Sequence, residues 1–130
     1  MKILVWYDES LVADEALKLA LKHAKAYGAD LFIVTSLEQG PALKKEDIDK
    51  AETRLEKIRK PFTADEIQCE TRAIVSYQSP GEDLVNFAKE NDVDEIIIGV
   101  KRRSKVGKLV FGSNAQYVIL EAPCPVVSVK

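Results

Sequence analysis

Two short, nearly unbroken apolar runs, Ile3-Leu4-Val5-Trp6 and Ile96-Ile97-Ile98, constrain this chain more than any other feature. A strand with one face in water alternates apolar and polar side chains. A strand apolar at every position is covered on both faces. The stretches between and around these runs carry apolar residues at helical spacing. Strands that alternate with helices, without a long linker, build an α/β sandwich with a mostly parallel sheet. Right-handed crossovers then restrict its topology.

The individual elements can be read in order. Residues 2–7 form the first strand. A helix follows over residues 10–27, with Ala13, Ala16, Leu17, Ala20 and Ala24 facing inward and Gly28 as its stop. So many alanines place this helix close against the sheet. The second strand covers residues 30–36, and a polar loop with Gly40 follows. A second helix is expected over residues 42–60, with Ile48, Ala51, Leu55 and Ile58 on one stripe and Pro61 ending it. Residues 68–75 alternate apolar and polar side chains, as an edge strand does. Ser79-Pro80 is a cap and first position for a third helix that carries Leu84, Phe87 and Ala88 inward and stops near Asn91. The fourth strand, residues 95–98, ends at Gly99; a basic loop follows, and Gly112-Ser113 opens a short helix to about Glu121. Residues 126–129 form the fifth strand. In sheets of this kind ligands bind beyond the carboxyl ends of strands, where the strand order reverses. The tips that would flank this point are Tyr7-Asp8 and Gly99.

Length and composition narrow the class. The 130 residues fit a single domain, 1–130, able to bury roughly two thirds of its unfolded surface without a metal or disulfide. A net charge of −2 means that nucleic acid is not an expected partner unless a local patch supplies the charge. No apolar run approaches the roughly 20 residues of a membrane helix. The first strand begins at once and leaves no room for a signal peptide, so a cytoplasmic setting is expected. Cys69 and Cys124 lack metal-ligand spacing and are expected as buried thiols. His23, beside lysines in the first helix, reads as a surface histidine without a catalytic role.

The chemistry concentrates in the last third of the chain. A strand ending in glycine, a loop, and a Gly-Ser helix start can cradle an anion. Glycines admit the backbone to close approach, and the free N–H groups and dipole of a helix start favour negative charge. Gly99 fits either a seat beneath a ribose or phosphate or a plain strand-to-loop turn. Gly112-Ser113 fits either the cradle or an ordinary serine cap. Asp8 fits either an acceptor for ribose hydroxyls or part of a helix cap with Ser10. Lys101, Arg102, Arg103, Lys105 and Lys108 form a basic loop suited to closing over phosphates or to lying in solvent. Gly107-Lys108 is followed by Leu109 and completes no P-loop, and no Gly-x-Gly-x-x-Gly follows the first strand.

These residues resemble the universal stress protein family along the whole chain. The opening Ile3 to Ser10 is similar to the family's first strand with its terminal aspartate. Asp94 to Gly99, Gly112-Ser113 and Ala122-Pro123-Cys124-Pro125-Val126-Val127 are similar to its C-terminal signature. The resemblance implies an open five-stranded sheet with helices on both faces, in the order 3-2-1-4-5, of the adenine nucleotide alpha hydrolase type. It also implies a homodimer through the C-terminal strand. ATP-binding members carry glycine, two residues, glycine, nine residues, then glycine and serine or threonine. Gly99 and Gly112-Ser113 fit that pattern, whereas Arg102 replaces the second glycine. By resemblance, Asp8 and Gly99 bind the ribose, the Ser36 backbone meets the adenine edge, and Gly112, Ser113 and Asn114 hold phosphates. Arg102 either pairs with a phosphate or obstructs it, and Trp6 lines or narrows the adenine pocket.

The resulting expectation is a stress-response regulatory protein that binds ATP or a related adenine nucleotide, with Mg2+ accompanying the phosphates. No residue stands as a general base, so hydrolysis is expected to be slow at most and a dedicated enzyme is not expected. The alternative is a dimeric adaptor of the same family that does not bind nucleotide, with Arg102 as the blocking change. An ATP pyrophosphatase is a poorer match, because its Ser-Gly-Gly loop is missing after the first strand.

Overall fold

The computed structural model describes residues 1–101 and 112–130. The strands are β1 (Lys2–Trp6), β2 (Asp30–Glu38), β3 (Cys69–Ser76), β4 (Glu95–Gly99) and β5 (Val126–Val129). They alternate with the helices α1 (Leu11–Tyr27), α2 (Lys45–Ala64), α3 (Pro80–Glu90) and α4 (Ser113–Glu121). All strands join one sheet in the order β3-β2-β1-β4-β5, and every pair is parallel.

The continuous apolar runs behave as their composition requires. Ile3, Val5, Ile33 and Ile97 point to one face and pack beneath α1 and α2 with Leu55 and Phe62. Their neighbours Leu4, Val34, Ile96 and Ile98 point to the other face and pack against α3 and α4 with Leu84, Phe87 and Val118. Each fully buried side chain of this size stabilises the fold by roughly 1.5–3 kcal/mol. Ala13, Ala16, Ala20 and Ala24 are all buried, so α1 lies against the sheet on a seam of methyl groups. Burial also pushes the Cys69 thiol up to about 11, which keeps it neutral and unreactive.

Local signals set most element ends. Ser10 Oγ accepts from the Ala13 N–H at 3.1 Å, and Gly28 takes a left-handed φ of 64° after α1. The second helix differs from expectation at both ends. It begins at Lys45, where the Lys44 N–H donates to Asp47 Oδ2 at 2.9 Å. Pro61 does not end it, and α2 runs on to Ala64. Pro61 is itself exposed, while its neighbour Phe62 is buried in the core. Burial of that ring offsets the single hydrogen bond that proline removes.

Two side chains also sit differently from their sequence reading. Cys124 is half-buried rather than buried. His23 is not a free surface residue: its Nδ1 lies 2.6 Å from Glu95 Oε1, and its ring stands edge-on to Tyr27. Long-range packing of α1 on β4 brings together residues far apart in sequence. No helix among the described residues is long and apolar enough to cross a membrane.

Candidate functional site

The strand order places the site. From β1 the chain crosses to β2 on one side, and β4 lies on the other. The connections therefore diverge above the carboxyl ends of β1 and β4 and leave a crevice. A cavity of about 310 Å³ opens there, lined by Trp6, Asp8, Gly99, Val100, Lys101, Gly112, Ser113, Asn114 and Ala115. That volume falls within the roughly 300–1,000 Å³ of small-ligand sites.

The start of α4 forms one wall. Gly112, not Ser113, is the N-cap, and no side chain among the described residues caps the helix. The first intrahelical bond runs from the Gln116 N–H to the Gly112 carbonyl. The N–H groups of Ser113, Asn114 and Ala115 precede it and so lack intrahelical partners. The serine-cap reading of Gly112-Ser113 therefore does not hold. Gly112 has φ −65° and ψ 156°, a conformation open to any residue. A Cβ there would meet nothing within 4 Å among the described residues. Neither backbone geometry nor that packing requires a glycine at this position.

Gly99 is the opposite case. A Cβ on it would come within 2.8 Å of Val12 Cγ1 and 2.9 Å of the Val12 carbonyl carbon. Glycine here lets the first turn of α1 lie across the tip of β4. This packing role was invisible in the local sequence, which offered only a turn or a ligand seat.

Asp8 takes part in the cap of α1 and also lines the cavity. Its Oδ1 accepts from the Ser10 N–H at 3.1 Å and from Ser10 Oγ at 2.6 Å, so it braces the residue that caps α1. Its Oδ2 lies 3.7 Å from Lys101 Nζ, and both residues line the cavity. The pair is partly exposed and weak, so neither group is locked in place. Tyr7, next to Asp8, is turned into the core, and burial raises its phenol pKa, with nearby Asp14 adding to the effect.

The cavity thus brings together Asp8, Gly99, Gly112, Ser113 and Asn114. Ser36 does not line it: its hydroxyl donates to Asp83 Oδ2 at 2.7 Å. Asn114 Oδ1 accepts from the Gly81 N–H at 3.1 Å, so this side chain also ties α4 to α3. Arg102, Arg103, Lys105 and Lys108 lie outside the described residues.

Sequence reasoning missed Asp83, which is 5% exposed. A charged residue in a first helical turn reads as a solvated partner of the helix dipole. The signal that it faces inward was its place four residues before buried Phe87, on the same stripe.

The fold and cavity define an open, doubly wound α/β protein with a small-ligand crevice at the carboxyl end of its sheet. The pattern of the Universal stress protein family matches residues 1–130, and the chain belongs to that family. It is 32% identical to the universal stress protein in the QAH/OAS sulfhydrylase 3' region of Thermus aquaticus, over 98% of this chain and 97% of that protein. Among solved structures it is similar to the universal stress protein from Archaeoglobus fulgidus, with 37% identity, a TM-score of 0.87, and coverage of 100% and 98% of the two chains. It is also similar to the Archaeoglobus fulgidus universal stress protein in complex with dAMP, with 33% identity, a TM-score of 0.83 and the same coverage.

Proposed function

We propose that this protein binds ATP or a related adenine nucleotide as a regulatory signal in a stress response, with slow hydrolysis at most. One observation carries the reading. The glycine N-cap of α4 is required by neither its backbone angles nor the packing described, yet it faces a cavity at the switch point of the sheet. Leaving out a side chain there gives phosphate access to the first N–H groups of the helix, which lack intrahelical partners. The dAMP complex of a 33% identical relative supports an adenine nucleotide as the occupant.

In this arrangement Gly112, Ser113 and Asn114 hold the phosphates and Arg102 adds a cation from the loop. Asp8 Oδ2 and the backbone at Gly99 meet the ribose, with Lys101 moving from Asp8 toward the phosphates. The backbone of Ser36 meets the adenine edge. Mg2+, which takes one or two protein carboxylates besides phosphate oxygens, would enter with the nucleotide, and Asp8 is the carboxylate in the cavity lining. β5 ends the sheet, and its open edge fits pairing with a second copy as a homodimer.

Mass spectrometry of ligand released from purified, denatured protein, followed by calorimetric titration with ATP, tests the reading. Release of an adenine nucleotide, or saturable heat with ATP that Gly112→Val abolishes while melting stays cooperative, supports it. Absence of both would favour the nucleotide-free adaptor. Sedimentation equilibrium that finds only monomer at micromolar concentration would remove the homodimer.

A further inference from the structure

We propose that Asp83 is a positioning residue that fixes Ser36 for recognition of the base, and so sets a preference for adenine over hypoxanthine. The inference rests on the adenine-nucleotide reading above.

Asp83 lies in the first turn of α3 and is the buried charged residue among those described. Both of its oxygens are engaged: Oδ2 accepts from Ser36 Oγ and Oδ1 from Ser76 Oγ, each at 2.7 Å. Ser36 belongs to β2, and Ser76 is the last residue of β3. One carboxylate therefore ties the carboxyl ends of two adjacent strands to the start of a helix. Charge-assisted hydrogen bonds of this length are strong and directional. An ionised carboxylate is costly to bury, and an apolar side chain would fill the same place more cheaply. What the network adds is a fixed geometry at the end of β2.

That end carries recognition groups. Along β2 the backbone groups alternate sides. The Asp30 N–H donates toward β1, to the Met1 carbonyl, and the Val34 carbonyl accepts from Tyr7 on the same side. The N–H groups of Leu31 and Gln39 donate toward β3. By this alternation the N–H and C=O of Ser36 face the β1 side, where pairing of β1 with β2 stops at Trp6 and Val34. The next acceptor on that side, the Tyr7 carbonyl, receives Thr35 Oγ1 at 2.7 Å. Ser36 therefore presents a backbone donor and acceptor together beyond the end of β1. Adenine offers the complement, a ring-nitrogen acceptor beside an amino donor. Hypoxanthine offers the reverse, a carbonyl acceptor beside a ring N–H. The peptide discriminates between them only while its orientation is held. β3 holds one side of this strand end, and the bond from Ser36 to Asp83 holds the face beneath it.

The test measures Kd for ATP and for inosine triphosphate by calorimetry, on the wild type, Ser36→Ala, Ser76→Ala and Asp83→Ala. The two ligands share phosphates and ribose, so their ratio reports on the base alone. The wild type should prefer ATP by roughly tenfold, as one or two net hydrogen bonds allow. Ser36→Ala and Asp83→Ala should bring the ratio to within about threefold, and the double variant should do no more, because both remove the same link. Ser76→Ala breaks the other bond of the same carboxylate. It should lower the melting temperature as Ser36→Ala does, yet keep the wild-type ratio. If Asp83→Ala does not fold, the contrast between the two serine variants decides the matter. A wild-type protein that binds neither ligand overturns the adenine-nucleotide reading, and this inference with it. A wild type that binds ATP with a ratio unchanged in Ser36→Ala overturns the inference alone.

Discussion

Helices α3 and α4 start on the same side of the sheet and are tied together there, yet they finish their N-termini in opposite ways. At α3, Ser79 Oγ accepts from the Glu82 N–H, and Glu82 and Asp83 place negative charge in the first turn. The Gly81 N–H is taken by Asn114 Oδ1, a side chain borrowed from α4. At α4 itself the cap is a bare glycine, no side chain among the described residues bonds to the helix start, and the first turn holds no acid. Among the described helices α4 alone has neither a side-chain bond at its start nor an acid in its first turn; at α2 the Lys44 N–H donates to Asp47, and Glu46 and Asp47 lie in the first turn. A folded chain ordinarily satisfies its helix ends internally. The helix end without a side-chain cap among the described residues borders the cavity, and under the proposed function the difference separates a helix start that serves stability from one that meets an outside anion.

The comparison breaks most sharply at Gly112→Asp. An aspartate would give α4 what α3 already has, raising stability by a few tenths of a kcal/mol. The same carboxylate would repel phosphate, and ATP affinity should fall by about a hundredfold. Calorimetry and thermal melting of one variant read both signs, and unchanged affinity would mean that the phosphates lie elsewhere.

Gly81→Ala probes the junction between the two helices. The added methyl would sit 3.0 Å from the Asn114 backbone oxygen. The helices must move apart, at a cost of roughly 1–3 kcal/mol in denaturant unfolding. Because Asn114 belongs to the helix start at the cavity, ATP affinity should weaken as well. Full affinity in a destabilised variant would show the two ends to be independent.

Ser79→Ala removes the cap of α3 and should cost about 1 kcal/mol of stability. Its ATP affinity should stay at the wild-type value, since the Ser79 hydroxyl serves the Glu82 N–H and does not line the cavity. A large loss of binding would erase the distinction between the two helices.

Lys101→Gln is the smallest expected effect. The Lys101 pair with Asp8 is partly exposed, so affinity for ATP should drop only about threefold at low salt, and less as salt rises. An equal loss for unphosphorylated adenosine would show that Lys101 acts through the ribose side rather than on phosphate.

Much of the architecture was legible in advance. Ile3 to Trp6 and Ile96 to Ile98 are apolar at consecutive positions, and that pattern alone demands strands covered on both faces. Ser10, Gly28 and Ser79-Pro80 marked helix ends because capping is chemistry within a few residues. Pro61 misled because a local rule for proline was outweighed by burial of Phe62 against a distant part of the core. In the site, Asp8, Gly99 and Gly112 could be singled out as candidates, but not assigned reasons.

Those reasons needed the third dimension. Gly99 and Gly112 look equivalent in sequence. Only the fold shows that one is glycine because Val12 lies against it, while a Cβ on the other would meet nothing within 4 Å among the described residues. Ser36, Ser76 and Asp83 are unremarkable apart, and strand register and helix placement make them a single network. Periodicity, caps and turns depend on neighbours along the chain, so the sequence by itself determined the strands, the helices and their alternation. Close approach, burial of charge and the sharing of Asn114 between helices depend on residues dozens of positions apart. Their energies exist only once the sheet has brought those residues within a few ångströms, and so only the tertiary structure decided them.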